Sequence, residues 1–325
     1  MIPRYSTAVR LAACALMAIA VLAGCGRNEA SSAADDTERD VAWSPAEGTA
    51  DAYRAAMKSR GFEPRFPLKG EILSADVPNK VLIVTHDEIP GYMPAMTMEF
   101  KVSHGDAMNA KPGQRIRAEI VERGAAPDYH LERIWPDDAV TVRALDAATK
   151  ALAQDTATRG RGVYREVGES SPDFILLDQE GRTASANRFR GKRVMMNFIF
   201  TRCPVATMCP ASTQKMSELQ QAAKQAGVTD VEFVSISLDP DYDTPGVLKD
   251  YADARGLDLS NWSFLTGPDA AVRHLLAQLG IIREFEGGTI KHNLATLLID
   301  RDGRIIHRVD GSRWTTDDFL PRMQR

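Results

Sequence analysis

The sequence has four cysteines in 325 residues and no run of basic residues, and it carries no apolar stretch of membrane-spanning length. Four cysteines are too few to staple a chain of this size. With 40 basic against 44 acidic residues and no cluster of either sign, the electrostatic footprint of nucleic-acid binding is missing. The apolar run Leu11 to Leu22 falls short of the roughly 20 residues a transmembrane helix needs. What is present is ordinary for a globular protein, 44% hydrophobic and 26% charged residues, and the length exceeds what one core usually holds, so two domains are expected.

The first residues read as an export leader. Arg4 and Arg10 make a positive segment ahead of the apolar run, which ends in Leu22-Ala23-Gly24-Cys25. This ending resembles the lipobox of bacterial lipoproteins. The resemblance implies a signal peptide over 1–24, cleavage before Cys25 and a lipid on Cys25. It also implies a membrane-anchored protein of the bacterial cell envelope that faces the periplasm. The alternative is an ordinary signal peptide with a chance cysteine. Loss of the leader removes Cys14, so Cys203 and Cys209 are the thiols that remain. In an oxidising compartment a close pair of this kind can cycle between dithiol and disulfide. Its short loop removes little unfolded-state entropy, which favours a chemical role over a structural one.

Residues 25–62 read as a tether, rich in Ala, Ser, Asp and Glu to residue 48, with a short helix over 49–60. Residues 63–143 read as an all-β domain. Strands are expected over Leu68–Ala75, Lys80–Thr85, Met96–Val102, Arg115–Val121 and His130–Trp135, with breakers between them and no helix-period segment. Five short strands suggest a small barrel. Residues 144–162 read as a helical or flexible linker. In 163–325 strands and helices alternate: Val194–Phe200, Ser212–Ala226, Val231–Leu238, Pro245–Ala254, Ser263–Leu265, Ala270–Leu279, then a hairpin of Leu294–Ile299 and Arg304–Val309, and a last helix, Thr316–Met323. A βαβ unit followed by a helix and a hairpin is the thioredoxin order, so this half is expected to be α/β and thioredoxin-like.

Cys203 and Cys209 lie between the first buried strand and a helix. A helix N-terminus favours negative charge, which predicts a lowered thiol pKa there. Thiolates are soft ligands that select Cu(I), and two of them need a third donor. The candidate is His292. A lone histidine before a strand is ordinarily a polar loop residue, but in a thioredoxin fold this loop lies beside the dithiol. Asp239 and Asp243 sit at the end of a strand, where ligand sites gather in α/β sheets; one reading is support of the site or contact with a partner, and the simpler one is a turn and a helix cap. The segments Asn197-Phe198-Ile199-Phe200-Thr201-Arg202-Cys203-Pro204, Ser235-Ile236-Ser237-Leu238-Asp239-Pro240, Asp243-Thr244-Pro245 and Lys291-His292 resemble the Sco/SenC family. That resemblance implies copper ligands at Cys203, Cys209 and His292 and a role in cytochrome oxidase assembly. Five residues separate the cysteines here, where the commonest family pattern has three. The loop facing the dithiol reads His292-Asn293-Leu294, without the cis-proline usual in thioredoxin-like thiol oxidoreductases.

In the first domain, His86 precedes a stretch in which Met93, Met96 and Met98 fall within six residues. On a strand Met96 and Met98 face one way. Two thioethers with a histidine suit Cu(I) or Ag(I), whereas methionines on a strand are otherwise core filling. The stretch resembles the CusF-like copper-binding domain, a small OB-like five-stranded barrel, and implies ligands His86, Met96 and Met98. The aromatic lid of that family is replaced here by Met93, with Tyr92 beside it, and either could serve. The expected function is therefore a copper protein, binding Cu(I) or Cu(II), more a metallochaperone than an enzyme. Its expected partner is a copper-accepting protein such as a cytochrome oxidase subunit. The alternatives are a thiol–disulfide reductase acting through Cys203 and Cys209, and a copper-resistance protein that sequesters the metal.

Overall fold

The computed structural model describes residues 43–44, 48–124, 128–286 and 289–324. The leader, Cys25 and most of the tether lie outside the described residues. None of the described helices is long and apolar enough to cross a membrane.

Strands β1 (Arg65–Asp76), β2 (Val81–His86), β3 (Met96–Lys101), β4 (Arg115–Arg123) and β5 (Asp128–Pro136) form a sheet that closes on itself in the order β1-β2-β3-β5-β4. Closure rests on one parallel register pair, Lys101 opposite His130. Alternation along each strand turns Phe66, Leu68, Leu82, Val84, Phe100, Ile116 and Ile120 inward, all essentially inaccessible. Helix α1 (Ala50–Ser59) begins at Thr49, whose side chain accepts from the Ala52 N–H, and it packs on this body. Its Arg54 donates to both Glu122 carboxylate oxygens, at 2.7 and 2.9 Å. Trp43 is buried against Phe66. The end of the expected tether is thus part of the barrel body, because Trp43 and α1 carry apolar surface that the barrel covers.

The expectation of no helix in this domain is corrected. Helix α2 (His104–Asn109) follows β3, capped by Ser103. Six residues are fewer than two turns, too short to show a 3.6-residue period. The linker is a 21-residue helix, α3 (Ala139–Arg159), which buries Leu145 and Leu152.

Beyond it stands a five-stranded sheet of order β10-β9-β8-β13-β14. Its central strands β8 (Arg193–Ile199) and β9 (Val231–Ser237) are parallel, as is β10 (Trp262–Leu265). Strand β13 (Ala295–Ile299) runs antiparallel to β8, and β14 (Ile305–Asp310) antiparallel to β13. Helices α4 (Cys209–Gln225), α5 (Pro245–Asp253), α6 (Asp269–Gln278) and α7 (Thr316–Met323) pack around it over one core. This is the thioredoxin-like arrangement. Two short hairpins were not expected: β6 (Ile175–Leu177) with β7 (Thr183–Ser185), and β11 (Arg283–Glu286) with β12 (Thr289–His292).

The halves are docked. Helix α2 crosses α5 at Gly105 and Gly246, where a Cβ on Gly105 would stand 2.1 Å from the Gly246 carbonyl oxygen. The Gly105 N–H donates to Asp250 at 2.7 Å, and the Asn109 side chain donates to the Gln179 carbonyl at 2.7 Å. Trp135, Leu145 and Leu177 share a small core across the junction. Gln278 on α6 donates to Thr156 of α3 at 3.0 Å. Asp106 is buried at the crossing, and this burial pushes its carboxyl pKa up to about 7.

Candidate metal centres

The first candidate centre lies at the end of the barrel where β2 finishes and β3 begins. His86 is directly opposite Met96, and Val84 opposite Met98. Opposed residues of an antiparallel pair share a face. The buried Val84 shows which face it is, so His86, Met96 and Met98 all turn toward the barrel interior. Thr85 and Thr97 point outward and hydrogen-bond at 2.8 Å. Met96 is 44% exposed at the rim, Met98 packs partly into the core, and His86 is 1% exposed. His86 Nδ1 lies 2.8 Å from the Asp87 carbonyl oxygen. A carbonyl only accepts, so Nδ1 carries the proton and Nε2 presents a lone pair. That Nε2 is buried and has no hydrogen-bond partner. A bare buried lone pair is costly, and with two thioethers on the same face of the strand pair a soft cation is the group that would satisfy it. The donor set therefore fits a Cu(I)-like ion. Tyr92 is engaged elsewhere: its ring stacks on Phe66 at 3.7 Å between centroids, and its hydroxyl donates to Glu122 at 2.7 Å.

The second centre lies where β8 gives way to α4. Cys209 is the first residue of that helix and is fully buried, whereas Cys203 is half-buried, with its Sγ turned to the Val205 carbonyl at 3.8 Å. His292 closes β12, where a plain loop was expected. Its Nε2 stands 3.6 Å from Cys209 Sγ, and its Nδ1 lies 2.9 Å from the Asn293 carbonyl oxygen. The imidazole meets the Phe200 ring edge to face, 5.7 Å between centroids. Cys209 and His292 are thus brought together, and Cys203 neighbours Cys209 from the more exposed side. Among the described residues no three His, Cys, Asp or Glu side chains converge as they would around a bound ion.

The lowered thiol pKa expected at this helix start is corrected for Cys209. Burial raises it far above the usual thiol range, and neighbouring Cys203 adds to the shift. Loss of water outweighs the favourable field of the helix. Burial also lowers the His292 pKa, which keeps its ring neutral. Both effects hold the metal-free site as thiol and neutral imidazole, so an ion entering it displaces protons.

Asp243 and Asp239 hold this loop in place, the supporting role rather than the plain turn and cap. Asp243 is wholly buried; its carboxylate accepts from the Thr201 N–H, the Thr201 hydroxyl and the Ser237 hydroxyl, the last at 2.7 Å. Burial pushes its pKa up to about 7, against those hydrogen bonds. Asp239 accepts from Arg202 at 2.8 and 2.9 Å. The two residues before Cys203 are therefore both clamped from the end of β9. Asn293 was missed by the sequence reading: its side chain accepts from the Ile282 N–H at 2.8 Å and donates to the Gly280 carbonyl at 2.9 Å, which sets the backbone that orients His292.

A thioredoxin-like sheet with a dithiol at the start of its first long helix and a histidine against the buried sulfur defines the class. Residues 163–325 match the SCO1/SenC family model, and the chain belongs to that family. Residues 65–136 match the model of the copper binding periplasmic protein CusF. The SCO1 protein homolog of Bacillus subtilis is 32% identical over 154 residues, 45% of this chain and 77% of its own length. A SCO1/SenC family lipoprotein from Bacillus anthracis, solved by crystallography, is 30% identical, covering 50% of this chain and 98% of its own, with a TM-score of 0.46. The structure of Bradyrhizobium japonicum ScoI with copper bound is 26% identical, over 48% and 99% of the two chains, with a TM-score of 0.42.

Proposed function

We propose that this chain is an exported, lipid-anchored copper protein that binds Cu(I) at two sites and delivers it to a copper-accepting partner such as a subunit of cytochrome oxidase. The cargo is copper. The barrel site comprises His86, Met96 and Met98, and the dithiol site comprises Cys203, Cys209 and His292. One observation carries the reading: in each domain a histidine donates a hydrogen bond from Nδ1 to the next residue's carbonyl and keeps Nε2 as a lone pair, against Cys209 Sγ in one site and on the barrel face that carries Met96 and Met98 in the other. Soft sulfur with neutral imidazole suits Cu(I) rather than a hard cation. At the dithiol, binding exchanges up to two thiol protons for the ion. The leader and Cys25 supply export and anchoring, which places both sites on the periplasmic side. The proposed domains are the barrel over 63–143 and the thioredoxin-like domain over 163–325, joined by 144–162, with Trp43 and α1 packed on the barrel.

A reductase reading has one observation in its favour, the half-buried Cys203 beside a buried Cys209. In it, a partner disulfide gains two electrons and two protons, and Cys203 and Cys209 become a disulfide. The high pKa of Cys209 and the absence of proline after His292 weigh against this as the sole role.

The test is Cu(I) stoichiometry in the wild type, in Cys203→Ala/Cys209→Ala and in Met96→Ala/Met98→Ala. Two equivalents are expected in the first and one in each variant. Unchanged affinity in His292→Ala together with strong disulfide reductase activity would overturn the chaperone reading for the dithiol.

A further inference from the structure

Helix α4 carries Cys209 at its first position, and its own sequence does little to fix where it starts. Met208, at the cap position, makes no side-chain hydrogen bond, and residues 204–208 belong to no strand or helix. The first turn is held from the side instead. Ser212 stands three residues after Cys209, on the same face of the helix, and accepts a hydrogen bond from Asn197 Nδ2 at 2.9 Å. Thr213 and Tyr251 of α5 share a hydrogen bond between their hydroxyls, also at 2.9 Å.

Asn197 is an unusual occupant of its strand. Val194, Met195, Met196, Phe198 and Ile199 of β8 are apolar and buried, and Asn197 lies among them with no exposure at all. Its Oδ1 accepts from Ser235 of β9 at 2.6 Å, and Ser235 accepts from Nε1 of Trp262 in β10 at 3.0 Å. The chain Trp262–Ser235–Asn197–Ser212 thus crosses three strands and ends on α4. An apolar residue at 197 would avoid the cost of burying an amide. What the amide adds is uniqueness: apolar contacts survive a small slide of a helix, and a buried chain of hydrogen bonds does not.

The tie bears on the sulfur. Strand β8 and helix α4 meet at Asn197 with Ser212, and again three residues along the strand and three back along the helix, where the Phe200 N–H faces the Cys209 sulfur as a hydrogen-bond donor. The His292 ring meets the ring of the same Phe200, and its Nε2 stands 3.6 Å from Cys209 Sγ. A displacement of the first turn of α4 therefore moves this sulfur relative to both His292 and Cys203.

We propose that Asn197 is a positioning residue for the dithiol: through Ser212 it sets where α4 starts, and so holds Cys209 Sγ where both copper binding and disulfide closure need it. The copper half of this rests on the function proposed above, and the disulfide half does not.

The test uses the full-length chain with Met96→Leu/Met98→Leu as parent, so that Cu(I) is read at the dithiol alone. Cu(I) affinity is measured by competition with a chelator. The Cys203–Cys209 equilibrium is measured on metal-free protein in glutathione redox buffers, and stability by denaturant titration. Asn197→Leu is expected to weaken Cu(I) about 10-fold. It should also make the disulfide about 10-fold easier to reduce, or about 30 mV, because a sulfur held less firmly meets its partner less often. Ser212→Ala cuts the same tie from the helix side, should shift both readings the same way, and decides alone if Asn197→Leu does not fold. Trp262→Phe removes the far end of the chain, loses stability, and should leave both readings at the parent value. The proposal is overturned if either reading stays at the parent value in folded Asn197→Leu or Ser212→Ala, or if Trp262→Phe moves them as far. If the parent dithiol takes up no Cu(I), the copper function fails instead, and the disulfide equilibrium still decides the role of Asn197.

Discussion

The barrel mouth and the dithiol loop solve one problem in two ways. Each fixes an imidazole by a hydrogen bond from Nδ1 to the next residue's carbonyl, His86 to Asp87 and His292 to Asn293. They differ in the sulfur. Met96 and Met98 are neutral thioethers at a partly open rim, with no proton to lose. Cys209 is a buried thiol that holds its proton tightly, and Cys203 sits half-exposed beside it. One site therefore sheds no thiol proton and forms no disulfide, and the other can do both.

The largest effect that tests this contrast is in pH. Two thiols that must shed protons make the dithiol's apparent Cu(I) affinity rise by up to about 100-fold per pH unit below the thiol pKa. The barrel's affinity, measured in Cys203→Ala/Cys209→Ala by competition with a Cu(I) chelator, is expected to stay flat between pH 7 and 9. Parallel curves for the two sites would erase the distinction.

Next in size is the joint between the regions. The Asp106 pKa rises from 3.8 to about 7 on folding, so the folded state holds the extra proton. Its contribution is complete below about pH 4 and is lost as pH climbs through about 7, at most about 4 kcal/mol. Asp106→Asn mimics the protonated form. The unfolding free energy of the variant minus that of wild type, from denaturant titrations, should grow between pH 4 and 7 and then level off. A pH-independent difference would mean the carboxylate is not buried at the crossing.

Asn293→Ala sharpens the contrast from the dithiol side. Removing two hydrogen bonds from the residue that receives His292 should weaken Cu(I) at the dithiol about 10- to 100-fold and leave the barrel unchanged. The smallest effect is on the barrel side: Tyr92→Phe loses the bond to Glu122 and about 1 kcal/mol of stability, with no change in copper affinity. A large loss of affinity would return Tyr92 to the role of lid.

Much of this was legible in sequence because it is periodic or local. Short β-branched and apolar runs set off by breakers located the five barrel strands, and the continuous apolar run Val194–Phe200 located the buried strand beside the dithiol. The ligand candidates were visible as residue types at telling places. Hidden were the features that depend on distant partners. Asp243 looks like a helix cap until Thr201, 42 residues earlier, is seen to donate to it. Cys209 looks like an activated thiol until its burial is known. Short elements also escaped, as with α2 and the β11–β12 hairpin, whose four-residue strands show too little pattern to read.

The crossing of Gly105 and Gly246 has a consequence for how such a protein could arise or be rebuilt. At either position any larger residue would drive its first carbon into the facing backbone or into Asp106. A barrel grafted onto another thioredoxin-like partner would hang loose unless both bare positions came with it. Joining the two coding segments is therefore not enough to make this molecule. The seam itself has to be inherited, as two small residues on surfaces that would otherwise tolerate almost anything.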